Sequence, residues 1–200
     1  MQAQSKPILI KDLVMPYNGR TLSIRMERGL NYIKGNNGAG KTILLDYISG
    51  IRKSNLCIRG NENVLYINQS IFFSDRLLCK DFLKFIYRMD GNKNTNELKK
   101  FAGEFCTKRF TEKVLPELLK KQWGMLSGGE RRFMYVFILL SLERDWYILD
   151  EPFVFLDDEK KNIVWKIIKR KVREGKGIIL TSHEKELEND SISVNVIDLN

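Results

Sequence analysis

The sequence predicts an α/β fold: a core with a mixed sheet, a small antiparallel sheet at its N-terminal end and an inserted helical subdomain. A glycine-rich octet, residues 35–42, stands between a short apolar strand and a helix. Short apolar strands of the kind that parallel sheets bury occur at Val64–Ile67, Tyr147–Leu149 and Gly177–Leu180. Residues 70–124 are rich in Phe, Leu and Lys and favour several short helices. These features together predict the core and its insertion.

The N-terminal segment favours two antiparallel strands. Ile8–Val14 is the first candidate, and the alternating apolar residues Leu22, Ile24 and Met26 mark the second. Asn18-Gly19 is typical of the turn between such strands. We therefore expect a small antiparallel sheet ahead of the octet.

Strand, loop and helix follow one another around the octet. Leu30, Tyr32 and Ile33 favour a buried strand before it, and Thr42–Ile51 favours a helix after it. The predicted buried side of this helix is formed by Leu44, Leu45, Ile48 and Ile51. The amino end of the helix would add its dipole to an anion site at the octet.

The octet itself, Gly35-Asn36-Asn37-Gly38-Ala39-Gly40-Lys41-Thr42, fits the phosphate-loop pattern. Its glycines let the backbone turn tightly and point amide groups at phosphate oxygens. Lys41 adds a positive charge for the outer phosphates. The Thr42 hydroxyl is placed to ligate magnesium. The octet therefore predicts a site for a triphosphate.

The insertion predicts three helices, at Lys80–Arg88, Asn96–Phe105 and Thr111–Lys121, with Asp90-Gly91-Asn92 as a turn after the first. Further predicted elements of the core are a buried helix at Arg131–Leu142, a helix at Asp158–Glu174 and a final strand containing Ile192, Val194, Val196, Ile197 and Leu199. The resulting division of one 200-residue domain is a helical subdomain at about 70–124 and a core formed by residues 1–69 and 125–200.

The net charge of +9 raises the question of an anionic partner. Lys160–Lys176 contains Lys169-Arg170-Lys171 and Arg173, opposed only by Glu174 near its end. We favour a solvated helix face, because an apolar stripe on the same segment faces the core. Attraction to anionic lipid headgroups is the second interpretation, and nucleic acid is the least favoured.

Other bulk features point to a soluble chain in the cytoplasm. The longest apolar run, Phe133–Leu140, is far shorter than the roughly 20 residues that span a bilayer. The first residues lack the apolar stretch of a signal peptide. Cys57, Cys79 and Cys106 form no metal or redox pattern, so we expect reduced thiols.

Two segments carry candidate chemistry downstream of the octet. Asp150 and Glu151 follow an apolar strand, where the first carboxylate can hold magnesium and the second can activate water. Ser127-Gly128-Gly129 precedes a long helix and places a hydroxyl and free amides at a helix amino end. The alternative for Asp150 and Glu151 is a surface acidic pair, and the alternative for Ser127-Gly128-Gly129 is an ordinary loop. A second anion site in a chain that already has one suggests a nucleotide shared between two copies.

With these motifs in order, the chain resembles the ATP-binding cassette family, specifically the nucleotide-binding domain of an ABC transporter. The signature of that family is similar to Leu126–Glu130, with Glu130 where the family usually has Gln. Its Walker B strand resembles Tyr147–Asp150, and its D-loop resembles the segment that ends in Leu156-Asp157. The chain is short for the family, with little sequence after the histidine at residue 183.

The resemblance implies a set of site residues, ATP and Mg²⁺. The catalytic residues that it implies are Glu151, His183 and Lys41. The magnesium ligands that it implies are Thr42, Gln69 and Asp150. The ATP contacts in one copy are Tyr17, Asn36, Asn37, Gly38, Ala39, Gly40, Lys41, Thr42, Ile43 and Gln69. The ATP contacts from a second copy are Ser127, Gly128, Gly129 and Glu130.

Three of these residues also have plainer interpretations. His183 follows a predicted buried strand and looks like the switch histidine, although a lone histidine is normally structural. Gln69 is similar to the Q-loop glutamine, but its interval from Lys41 is shorter than usual in the family. Tyr17 is either the aromatic that stacks on adenine or a turn tyrosine.

The resemblance also implies partners and a location. We expect a head-to-tail homodimer on ATP binding, and a separate transmembrane permease subunit at the cytoplasmic face of the membrane. Export of peptide, lipid or drug-like cargo is modestly favoured over import. The alternative is a non-transport ABC ATPase that acts on nucleic acid or in complex assembly, and a purely structural nucleotide-binding module is the least favoured.

Overall fold

The computed structural model describes residues 6–16, 19–53, 58–69, 73–92, 94–182 and 192–200. Four residues named above, Tyr17, Asn18, Cys57 and His183, lie outside these ranges. The chain divides into two compact units. The first unit contains residues 1–69, 144–152 and 169–200, and the second contains residues 70–143 and 153–168.

The first unit contains the two sheets. Its strands are β1 (Ile8–Val14), β2 (Thr21–Met26), β3 (Gly29–Lys34), β4 (Ile58–Arg59), β5 (Val64–Ile67), β6 (Trp146–Asp150), β7 (Gly177–Thr181) and β8 (Val194–Asp198). An antiparallel sheet has the order β2-β1-β4, and a five-stranded sheet has the order β5-β6-β7-β3-β8. All strand pairs of the five-stranded sheet are parallel. The core sheet, expected to be mixed, is thus parallel in its described strand pairs, and the antiparallel strands form a separate sheet. The α/β class is confirmed.

The central strands are apolar because both of their faces are covered. Every residue of β6 and β7 is buried, which is typical of the middle of a parallel sheet. Helix α1 (Lys41–Ser49) packs Leu44, Leu45 and Ile48 into a core shared with both sheets. Ile51, predicted on the same buried side, is instead 67% exposed. Gly50 ends α1 in a left-handed conformation, so residue 51 no longer follows the helical repeat.

The second unit is helical. Its helices are α2 (Cys79–Met89), α3 (Asn96–Phe105), a π-helical turn (Phe110–Val114) that continues into α4 (Leu115–Lys120), a 3₁₀ turn (Trp123–Met125) and α5 (Gly128–Leu140). The core of this unit is aromatic, with Phe133 and Phe137 of α5 stacked at 5.2 Å between ring centroids. Phe110 meets Phe133 edge to face at 5.7 Å. Such aromatic pairs contribute specific geometry in addition to buried area.

Helix α5 begins earlier than predicted. The sequence favoured a start near Arg131, but the helix begins at Gly128. Ser127 is its N-cap, and the Ser127 and Glu130 side chains form a reciprocal capping box. This arrangement stabilises a first helical turn that contains two glycines, although glycine disfavours helix.

Helix α6 (Asp158–Arg173) carries the basic segment discussed above. The predicted buried stripe is Ile163, Val164, Ile167, Ile168 and Val172; the first four are buried and Val172 is partly buried. The interpretation of the basic segment as a solvated face is wrong for Lys171, which is only 2% exposed. Its ammonium donates a hydrogen bond of 2.8 Å to the Tyr147 hydroxyl.

In the described ranges, no helix is both long and apolar enough to cross a membrane.

Candidate functional site

The phosphate loop lies between β3 and α1, as the sequence predicts. Gly38 and Gly40 have positive φ angles of 87° and 94°, which side-chain-bearing residues rarely adopt. Gly40 is the N-cap of α1 and provides no side-chain acceptor for the first amides of the helix. These amides therefore remain without the usual side-chain cap, as an anion site requires.

Lys41 folds back over the loop. Its ammonium donates to the carbonyl oxygens of Gly35 at 2.6 Å and Asn36 at 3.2 Å. The charge is thus held at the loop by two neutral acceptors. A polyphosphate in the loop would offer this ammonium stronger, charged acceptors.

The two residues after the last strand, Leu199 and Asn200, contact the other side of the loop. The Asn36 amide donates to the Asn200 side-chain oxygen at 2.8 Å. The Arg20 guanidinium donates to the carbonyl oxygens of Leu199 at 2.9 Å and Asn200 at 3.0 Å. Residues 199 and 200 therefore connect the start of β2 with the phosphate loop.

The Asp150 carboxylate is the centre of the site. It lies at the carboxyl end of β6 and is 2% exposed. The Thr42 hydroxyl donates to its Oδ2 at 3.0 Å, and the Thr181 hydroxyl donates to its Oδ1 at 2.6 Å. The Tyr66 hydroxyl is 3.4 Å from Oδ2. A buried carboxylate is stable here because donors from α1, β5 and β7 surround it.

Two of these donors, Tyr66 and Thr181, were missed by the sequence analysis. Burial, followed by the charges of Asp150 and Asp46, raises the pKa of Tyr66 far above its usual range, so the hydroxyl remains a donor. Both residues end or nearly end short apolar strands on either side of β6. A polar residue at the carboxyl end of a buried strand is the only sequence signal that could have pointed to them.

Glu151 has an unusual backbone conformation. Its φ angle is 49°, a left-handed value that is rare outside glycine and asparagine. Its amide donates both to the Thr181 hydroxyl at 3.0 Å and to the Thr181 carbonyl at 3.2 Å. These bonds from β7 stabilise a strained turn immediately after Asp150, as is often seen at functional sites.

The structure places the remaining predicted residues in two groups. Asn36–Ile43 lie together in the phosphate loop and the first turn of α1. Gln69 is exposed and lies two residues beyond β5, the strand that pairs with β6. Ser127, Gly128, Gly129 and Glu130 lie in the second unit. Tyr17 and His183 are outside the described residues.

The signature segment has its own local geometry. The Ser127 hydroxyl accepts a hydrogen bond from the Glu130 amide at 3.1 Å, which leaves the hydroxyl hydrogen unused by this bond. Glu130 in turn accepts from the Ser127 amide at 2.8 Å. A Cβ on Gly129 would lie 2.6 Å from the Phe155 carbonyl oxygen, so only glycine fits there.

Comparison with known proteins identifies the family. The family model described as ABC transporter matches residues 20–154. The chain belongs to the ABC transporter family. It therefore contains an ABC ATPase domain, which binds and hydrolyses ATP.

Relatives of this ABC ATPase are similar over most of its length. An ABC transporter ATP-binding protein of Archaeoglobus fulgidus is 28% identical over 83% of this chain, which spans only 61% of that relative. The cytochrome c biogenesis ATP-binding export protein CcmA of Reclinomonas americana is 30% identical, with 82% of this chain and 77% of the relative covered. The zinc import ATP-binding protein ZnuC of Wolbachia pipientis is 28% identical, with 90% and 74% covered.

A solved structure also matches this ABC ATPase. An ABC transporter ATP-binding protein from Pyrococcus furiosus has a TM-score of 0.75 and 25% identity, with 97% of this chain and 98% of that chain covered. The α/β phosphate-loop architecture is thus shared along nearly the whole chain.

Proposed function

We propose that this ABC ATPase is the ATP-hydrolysing subunit of a transporter and works through a separate membrane-spanning partner. The observation that carries this proposal is the contact between the phosphate loop and the end of β6, where the Thr42 hydroxyl meets the buried Asp150 carboxylate at 3.0 Å. A phosphate loop linked to a strand-end carboxylate is the arrangement that phosphoryl-transfer enzymes use.

The residues present fit ATP and Mg²⁺. The phosphate loop offers amides without a side-chain cap, and the Lys41 ammonium is hydrogen-bonded to the neutral carbonyls of Gly35 and Asn36. Thr42, Asp150 and Gln69 supply the hard oxygen ligands that magnesium prefers. When bound there, the metal would neutralise charge on the phosphates. Tyr17 remains our candidate for adenine stacking.

Glu151 is our candidate for the general base. Its backbone is fixed by two hydrogen bonds from its amide to Thr181, and it is the residue directly after Asp150. From this position its carboxylate would orient water for in-line attack on the γ-phosphate and accept the proton of that water. His183 would stabilise the charge on the transferring group.

The second half of the pocket would come from a second copy of the chain. Ser127 is exposed at the amino end of α5, and its hydroxyl hydrogen is available to a phosphate oxygen. Gly128 and Gly129 would add backbone amides from the first turn of the helix, and Glu130 would lie beside the same phosphate. We therefore propose a head-to-tail dimer with two nucleotides at its interface.

Replacement of Glu151 by Gln tests the proposal. We expect Glu151→Gln to lower ATP turnover about 10²- to 10⁴-fold, as the loss of a general base does, and to leave ATP binding intact. The variant should accumulate as a dimer in ATP on gel filtration. Glu62→Gln, an exposed carboxylate of the same unit, is the matched control. Normal turnover of Glu151→Gln would exclude the assigned base.

Cargo direction and location remain predictions. Relatives are named for both export and import, and we retain a modest preference for export of peptide, lipid or drug-like cargo. We also propose that the chain lies at the cytoplasmic face of the membrane. Co-purification from the native membrane would identify a permease, whereas salt-sensitive DNA binding would favour the non-transport alternative.

A further inference from the structure

The signature segment of this chain contains an ionised carboxylate where the family usually has a neutral amide. Burial, the largest single influence, raises the pKa of Glu130, but hydrogen bonds from the Ser127 amide and from Lys121 together outweigh it and lower the pKa. Glu130 is therefore charged at neutral pH. A negative charge is favourable at the first turn of a helix, but it opposes a phosphate bound at the same turn.

Lys121 provides the compensating charge. Its ammonium donates to Glu130 Oε1 at 3.2 Å, while Glu130 Oε2 accepts from the Ser127 amide at 2.8 Å. The two carboxylate oxygens thus connect Lys121 to the N-cap of α5. The side chains of Lys121 and Glu130 are 40% and 28% exposed, so the pair is only partly screened by water.

The position of Lys121 does not depend on this ion pair. Its carbonyl accepts from the Cys79 amide at 3.0 Å, and the Trp123 amide donates to the Leu77 carbonyl at 2.7 Å. These backbone bonds attach the segment around residue 121 to the start of α2. The ammonium is therefore presented to Glu130 by a fixed backbone.

We infer that Lys121 is a positioning residue of the composite nucleotide site, where it neutralises Glu130 and keeps it on the Ser127 amide. The inference rests on the proposed function, because it assumes that the signature segment meets a nucleotide bound by a second copy. With Lys121 present, the first turn of α5 offers a hydroxyl and amides to phosphate without a net repulsive charge.

Four variants test the inference: Lys121→Met, Glu130→Gln, the double variant of both, and Lys120→Met as an exposed neighbouring control. We expect Lys121→Met to raise the ATP concentration for half-maximal turnover and dimerisation about fivefold, the upper range for a partly exposed ion pair. The double variant should return to within about twofold of the original chain. The effect of Lys121→Met should shrink at about 1 M salt, where screening is short-ranged.

Two results would overturn the inference. An unchanged half-maximal ATP concentration in Lys121→Met would exclude the charge role. A double variant as impaired as Lys121→Met alone would show that the lysine acts only as a structural tether. Failure of the unaltered chain to dimerise with ATP would instead refute the proposed function, so the two failures are distinguishable.

Discussion

The hydroxyl of Thr181 provides a direct test of how the buried carboxylate is stabilised. Thr181 is fully buried, and its hydroxyl donates to Asp150 at 2.6 Å while accepting from the Glu151 amide at 3.0 Å. Thr181→Val keeps the shape of the side chain but removes both bonds. The Glu151 amide retains the Thr181 carbonyl at 3.2 Å, so the main loss is one hydrogen bond to a charged group.

Such a bond contributes about 1.5–3 kcal/mol to stability. We therefore expect Thr181→Val to lower the free energy of unfolding by about 2 kcal/mol, or about 30-fold in the unfolding equilibrium. For a chain of this size the melting temperature should fall by about 4–8 °C. Urea titration and thermal melting would measure both quantities.

Thr181→Ser is the matched control because it keeps the hydroxyl and loses a methyl group. It should cost about 1 kcal/mol through lost burial. If Thr181→Val proves as stable as Thr181→Ser, the hydroxyl does not stabilise Asp150, and the reasoning fails.

Two further predictions concern other parts of the chain. Gly129→Ala would place a methyl carbon 2.6 Å from the Phe155 carbonyl oxygen and should cost about 1–3 kcal/mol, whereas Gly128→Ala faces open space and should cost little. Equal melting temperatures for these two variants would contradict the packing at Gly129. Burial raises the pKa of the Cys79 thiol to about 12, so iodoacetamide at pH 8 should label it slowly in the folded chain and quickly in urea. Fast labelling of the folded chain, read by mass spectrometry, would contradict the burial. Because the unfolded thiol ionises at about pH 8.5, the free energy of unfolding should fall as the pH rises above that value.

The elements that the sequence predicted well are those defined by local pattern. Ile8–Val14, Val64–Ile67 and Asn96–Phe105 have the predicted bounds because their apolar spacing is unambiguous. The phosphate loop was equally clear, since its glycines and Lys41 have fixed spacing within one octet. Local motifs of this kind need no knowledge of which strands are neighbours.

The features that escaped prediction depend on contacts between distant segments. Tyr66 and Thr181 reach Asp150 only because β5 and β7 lie on either side of β6, and strand order cannot be read from spacing. Lys171 is buried because its ammonium meets Tyr147, although it lies within a basic run. The early start of α5 was readable from Ser127 and Glu130, which match a capping box three residues apart, but the glycines between them favoured a loop.

The position of Asn200 has a practical consequence for protein engineering. Its side chain holds the Asn36 amide, and its carbonyl is held by Arg20. Any polypeptide that follows this residue would therefore leave from the edge of the phosphate loop, where we propose that the nucleotide binds. An affinity tag or fluorescent fusion attached there would lie close to the proposed nucleotide site, so labels for biochemical work belong elsewhere on the surface.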